Sequence, residues 1–205
     1  MRKDYVEEAR REAEEAMGMQ PDQSVAHRMD HIIRVWKWTK FISQKLIKDG
    51  EKINMEELEI AVLLHDIRQL KNEEKSLHVS RSVEKSEEIL RKIGYPEDKI
   101  KNVLKIISQH SSEDIKAPET IEAKILYDAD KLDGFGATGI ARVFTLCGQQ
   151  GMAVEEAVEW YKRKIAKAKP FMQTEIAKAI VGEGEKFVNI FFEKFKEEQE
   201  FLKAV

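Results

Sequence analysis

The chain carries one cysteine, Cys147, in 205 residues. An internal disulfide and a thiolate zinc site are therefore excluded, and the ordinary role of such a residue is a small core hydrophobe. Only four prolines occur, so little interrupts long helices. No apolar run is long enough to span a membrane, and the N-terminus has no signal-peptide pattern. A basic excess is also missing. Lys plus Arg is 35 and Asp plus Glu is 38, a net charge of -3, whereas a dedicated nucleic-acid binder normally carries a clear cationic surplus. The expectation is a soluble, charge-rich, cytoplasmic protein of about one domain, with neither a nucleic-acid nor a membrane partner.

What the sequence has instead is helical period, with no strand alternation of useful length. Residues 2–17 place Val6, Ala9, Ala13 and Ala16 on one side and stop at Gly18. Ser24 is a candidate N-cap for a helix from about Val25 to Lys48, with Met29, Ile32, Ile33, Trp36 and Ile42 inward. Asn54-Met55-Glu56-Glu57 resembles a capping box and opens the next helix. Further helices are expected from Val79 to Ile93 before Gly94, from Pro96 to Gln109, and from Pro118 to about Asp130. Residues 140–146, 153–168 and 171–200 complete the set. The fold class is all-α, with about eight or nine helices.

The chain is organised around Ala61-Val62-Leu63-Leu64-His65-Asp66-Ile67, an apolar run that ends in an imidazole and a carboxylate side by side. A carboxylate in such a setting must be paired or bind a metal. The other histidines are His27, His31, His78 and His110, and Asp128, Asp130 and Asp133 stand in similarly apolar or constrained settings. Two imidazoles with two carboxylates form a mixed N/O donor set, suited to Mn, Fe, Co, Ni or Zn rather than to Ca, with Mg as a further candidate. Any one of these histidines alone is more often a hydrogen-bonded core or surface residue. His27 and His31 have the spacing of zinc peptidases, but Arg28 stands where that mechanism needs a glutamate.

Taken together, His31, His65-Asp66 and Asp130 resemble the H…HD…D signature of the HD-domain metal-dependent phosphohydrolases. The stretches His27–Trp36, Leu63–Ile67, Gln109–Ser111 and Tyr127–Arg142 extend the likeness, as does the tail from Tyr161 through Lys169, Met172 and Thr174-Glu175. These stretches are similar to the YedJ/YpgQ-type subgroup. The resemblance implies a single HD-domain helical bundle over 1–205, with signature blocks at about 25–142 and C-terminal helices at about 153–200 packing on it. It also implies one divalent metal held by His31, His65, Asp66 and Asp130, and a small-molecule phosphate or nucleotide substrate. Arg68 departs from the family, standing where many members have glycine.

The expected reaction is hydrolysis of a phosphate ester or anhydride. Asp66 or Asp130 is a candidate proton acceptor, and His110 is a candidate phosphate contact and proton donor. Arg34 and Lys131 are the leading cations for the departing phosphate, with Arg68, Lys71 and Arg142 weaker candidates for substrate binding. His78, His110, Asp128 and Asp133 are candidates to brace the ligands or to hold a second metal. Trp36, Trp38 and Phe135 offer ring faces for a base, with core packing the favoured role. Two other readings compete. One is a metal-dependent nucleotide sensor without turnover; the other is a di-iron HD-type oxygenase, which needs two metals.

Overall fold

The structure is a computed structural model and describes residues 3–20, 24–68, 75–111 and 118–204. Among these it contains nine α-helices, one 3₁₀ turn and no strand, as the periodicity predicts. The chain divides into two compact units, Met1–Asp130 and Lys131–Val205.

The first unit is built on α3 (Met55–Leu64). Leu58, Ile60, Ala61, Val62, Leu63 and Leu64 are all buried, so this helix is apolar around its whole circumference. Such a helix needs neighbours on every side. It finds them in α1 (Tyr5–Gly18), α2 (Met29–Lys48) and α5 (Glu97–Ser108), while α4 (Lys75–Lys92) packs on α5 and α1. Each fully buried Leu or Ile contributes about 1.5–3 kcal/mol. The core therefore fixes where α3 ends, and its end is the His65-Asp66 pair. The last helix of this unit, α6 (Ile121–Leu132), runs to its boundary and two residues beyond.

Helix ends differ from expectation at several places, among them the start of α4, at Lys75 rather than Val79. The α2 helix begins at Met29, after a turn in which the His27 amide donates to the Ser24 carbonyl (3.0 Å), so Ser24 is not its N-cap. Asn54 does cap α3, accepting from the Glu57 amide at 3.3 Å. The reciprocal half of the capping box is supplied from elsewhere: the Asn54 amide donates to Glu122 on α6 (2.9 Å), and Glu57 is buried beside Asn102 instead. Pro96 precedes α5 rather than opening it. Thr120, not Pro118, caps α6 through the Ala123 amide (3.2 Å). Between α4 and α5, Gly94 has φ +67° and Tyr95 donates to the Leu90 carbonyl (2.9 Å), a Schellman ending that favours glycine.

The second unit contains α7 (Gly136–Gln149), α8 (Val154–Ala168), the 3₁₀ turn Lys169–Phe171 and α9 (Glu175–Ala204), with α7 packed on α8 and α9. Cys147 is buried on α7, as expected. The turn before α7 is fastened by polar contacts. Arg142 donates to the Asp133 carboxylate (3.0 Å) and carbonyl (3.1 Å), and the Tyr161 hydroxyl donates to the Gly134 carbonyl (3.0 Å). Gly139 lies under this turn, where a Cβ would stand 2.2 Å from the Gly134 oxygen and 2.7 Å from the Tyr161 hydroxyl.

Gly139→Ala should consequently cost about 3 kcal/mol, because backbone and not a flexible side chain would have to move. Gly182→Ala, inside α9 with nothing within 4 Å of the new methyl, should instead gain about 0.5–1 kcal/mol. Urea denaturation of the two variants checks both signs.

Candidate metal centre

Four helices of the first unit deliver the polar cluster. His31 lies in the first turn of α2, His65 caps the C-terminus of α3 with Asp66 following, and Asp130 is near the end of α6. His110 follows the end of α5. His31, His65, Asp66 and His110 are buried, and the Asp130 side chain retains 14% exposure. His31 Nε2 is 3.3 Å from Asp130 Oδ1 and 3.5 Å from Asp66 Oδ2. His65 Nε2 is 3.6 Å from the same Asp66 oxygen, and His110 Nε2 is 3.3 Å from Asp66 Oδ1. One donor atom from each of His31, His65, Asp66 and Asp130 falls within 4.8 Å of all the others. Asp66, His78 and His110 form a second group by the same measure, sharing Asp66.

Hydrogen bonds set which ring nitrogen faces inward. Helix C-termini leave carbonyls without intrahelical donors. His65 Nδ1 lies 2.8 Å from the Val62 carbonyl, and His110 Nδ1 lies 2.6 Å from that of Ile107. A carbonyl accepts only, so each Nδ1 carries a proton; the neutral His65 ring then turns its Nε2 lone pair toward Asp66, while His110 Nε2 is hydrogen-bonded to Asp66 Oδ1 (3.3 Å). The buried His65 Nε2 makes no hydrogen bond among the described residues. A lone pair facing a carboxylate oxygen is repulsive unless a cation lies between them. The donor set therefore fits a divalent transition metal.

The electrostatics agree. Burial holds His65 neutral, lowering its pKa from 6.5 to about 4 against the opposing pull of Asp66. Burial alone would raise Asp66, but His65 together with hydrogen bonds from His110 and His31 outweighs it and holds the carboxyl well below the usual range. At neutral pH the pair is thus an anionic oxygen donor beside a neutral nitrogen donor, the protonation state that metal binding requires.

The remaining candidates are distributed as follows. Arg34 pairs with Asp30 one turn earlier on α2 (2.7 Å). Arg68 takes Ser82 Oγ on its amide (3.3 Å) and reaches Gln20 with its guanidinium (3.5 Å). Arg142 and Asp133 hold each other in the second unit. Asp128 is fully buried and Lys131 half-buried. Lys71 lies outside the described residues. The Trp36 ring donates to Glu59 (3.0 Å) beneath Lys40, Trp38 meets Phe41, and Phe135 is buried as core. His27, given no role by the sequence, stands 5.6 Å from the His31 ring. The row of rings continues with successive separations of 5.6, 5.0 and 5.5 Å through His31, His65, His110 and His78, and so uses all five histidines of the chain.

The His65 shift has a consequence for stability. The unfolded chain takes up a proton at this ring near pH 6.5, whereas the folded chain resists until about pH 4. Stability of the metal-free protein should therefore fall as pH drops through that window, by about 3 kcal/mol in all from this group, and stop falling below it. Urea titrations of chelator-treated protein from pH 7 to 4 should show this loss in the wild type and its absence in His65→Asn.

Comparison with known proteins places this geometry. The family model of the HD domain matches residues 28–134, which hold all four residues of the first donor group. The chain is 29% identical over 185 residues to the protein YpgQ of Bacillus subtilis (strain 168), covering 86% of each. It superposes on a crystal structure of an HD-superfamily hydrolase from Bacillus thuringiensis with TM-score 0.70 and 27% identity, covering 96% of this chain and 97% of the other. It also superposes on Bacillus subtilis YpgQ in complex with ADP with TM-score 0.71 and 24% identity, covering 94% and 97%. By its sequence match and its helical architecture, the chain belongs to the HD domain family.

Proposed function

We propose that the protein is a metal-dependent phosphohydrolase acting on nucleotides or related phosphate esters and anhydrides. The observation that carries this reading is the buried donor group His31, His65, Asp66 and Asp130, with the His65 Nε2 lone pair directed at a carboxylate. The HD-superfamily hydrolase with a similar fold and the ADP bound by YpgQ support the reaction class and the nucleotide. No helix among the described residues is long and apolar enough to cross a membrane. The whole chain, 1–205, is taken as one working HD protein, since the structural matches run along nearly all of it.

A divalent transition metal (Mn, Fe, Co, Ni or Zn, with Mg a further candidate) supplies Lewis acidity when bound, acidifying water and polarising a phosphoryl oxygen. His31, His65, Asp66 and Asp130 hold it. Asp66 and Asp130 are the oxygens able to take a proton from the attacking water. His110, 3.3 Å from Asp66 Oδ1, is the group that contacts the phosphate and returns a proton to the leaving oxygen. Lys131, beside Asp130 in the last turn of α6, is the leading cation for the departing phosphate. Arg34, Arg68, Lys71 and Arg142 are weaker candidates, because Arg34 and Arg142 already hold Asp30 and Asp133. Asp128 braces the ligands.

The group Asp66, His78 and His110 favours a second reading, a di-iron oxygenase in which Asp66 serves two ions. Under the hydrolase reading one ion binds tightly, in the first group. Elemental analysis after gentle purification should give one metal per chain, and two iron ions would shift the balance to the oxygenase.

The direct test is a screen of the purified protein, metal by metal, against nucleoside mono-, di- and triphosphates with chromatography of the products. His65→Ala and Asp66→Ala should each lower turnover on the order of 10³-fold while keeping wild-type helicity. Wild-type turnover by Asp66→Ala would refute the mechanism. Tight metal and nucleotide binding with no product from any substrate would point to a sensor.

A further inference from the structure

The proposed chemistry uses His31 and leaves His27 without a task, although the two rings are neighbours. His27 is not on α2. It closes the turn that leads into that helix, where it is attached to Ser24 twice. The His27 amide donates to the Ser24 carbonyl (3.0 Å), and His27 Nδ1 lies 3.0 Å from Ser24 Oγ. Ser24 is itself buried, at 4% exposure. Backbone and ring of His27 are thus fastened to one buried residue, which removes the usual freedom of a side chain in a turn.

The His27 ring stands at 87° to that of His31 with 5.6 Å between centroids, the edge-to-face arrangement that aromatic rings prefer. On its other side His31 meets the His65 ring at 5.6 Å and 63°. His31 is therefore flanked by two rings, and its Nε2 sits between Asp66 and Asp130 at 3.5 and 3.3 Å. Turning the His31 ring about its Cβ–Cγ bond would carry Nε2 away from both carboxylates. A ring packed across it opposes that turn.

We infer that Ser24 and His27 form a support that positions the ligand His31, with Ser24 anchoring the His27 ring and that ring fixing the plane of the His31 imidazole. The inference rests on the reading of His31 as a metal ligand. Groups that orient a ligand from outside the coordination shell typically change metal affinity 10–100-fold when removed. His27 acts through His31 and touches neither metal nor substrate, so the quantity it governs is the affinity for the ion, measurable without turnover.

The test is calorimetric titration of the full-length, chelator-treated protein with Mn²⁺ alone. His27→Ala should raise the Mn²⁺ Kd about 10–100-fold. Ser24→Ala should raise it less, and the double variant should be no worse than His27→Ala, because Ser24 works only through His27. His27→Phe, which keeps an edge-to-face ring and has no nitrogen to coordinate, should restore most of the affinity. Circular dichroism of each metal-free variant confirms that it is folded. A wild-type Kd in His27→Ala would overturn the support. So would additive Ser24 and His27 effects, or a Phe variant as weak as the Ala variant, which would make His27 a ligand. If wild-type protein bound neither Mn²⁺ nor Zn²⁺, the metal-centre reading itself would fail, a result distinguishable from all of these.

Discussion

A carboxylate at the buried end of an apolar helix is the constraint on which the rest of this molecule depends. Asp66 follows α3, whose every face is covered, and it is itself 3% exposed. Desolvation of an isolated carboxylate would cost several kcal/mol and drive it to the neutral form. Three imidazoles surround it, yet that of His65 presents a lone pair because its Nδ1 proton is engaged by a carbonyl. Hydrogen bonds among these groups cannot satisfy all the acceptors together. A divalent cation can, and a cluster of this composition is difficult to explain as a structural feature alone.

The same device appears twice, at the ends of α3 and α5. At or just past each helix end a histidine ring folds back onto a carbonyl three residues earlier, and at His65 this one contact also fixes the tautomer. Ligand orientation is thereby tied to helix termination. The depth of the site follows from packing, since α3 lies against α1, α2 and α5 in the first unit.

This explains which parts of the architecture were legible in the sequence. The α3 core was readable because the apolar run from Ala61 to Leu64 calls for burial, and the His-Asp pair at its end then demands partners. His31 and Asp130 were readable from the spacing of family-like blocks, and the structure brings them to that pair. Helix starts were less legible because caps are decided by tertiary neighbours: Glu122 from α6 takes the Asn54 amide that a local capping box would give to Glu57, and the Ser24 hydroxyl serves the His27 ring rather than the start of α2. His27 was rejected for lacking a catalytic glutamate beside it, a local criterion blind to ring packing. Arg34 and Arg142 were candidates for phosphate by position alone. Their local acids, Asp30 and Asp133, stand close enough to take them, which the sequence pattern did not indicate.

Under the proposed function, the charge arrangement also bears on the substrate. A phosphate nearing Asp66 and Asp130 meets like charge in a setting of low dielectric, where repulsion is strong. With net charge -3, the chain as a whole offers no compensating field. The sign of the local potential must then be reversed by the ion that these residues hold, so that metal and phosphate bind as coupled events. The Asp130 side chain, more exposed than Asp66, His31 or His65, marks where that coupling meets solvent. Protein cations such as Lys131 act at the margin of this arrangement and adjust how the departing phosphate leaves, while the metal sets whether a phosphate can approach at all.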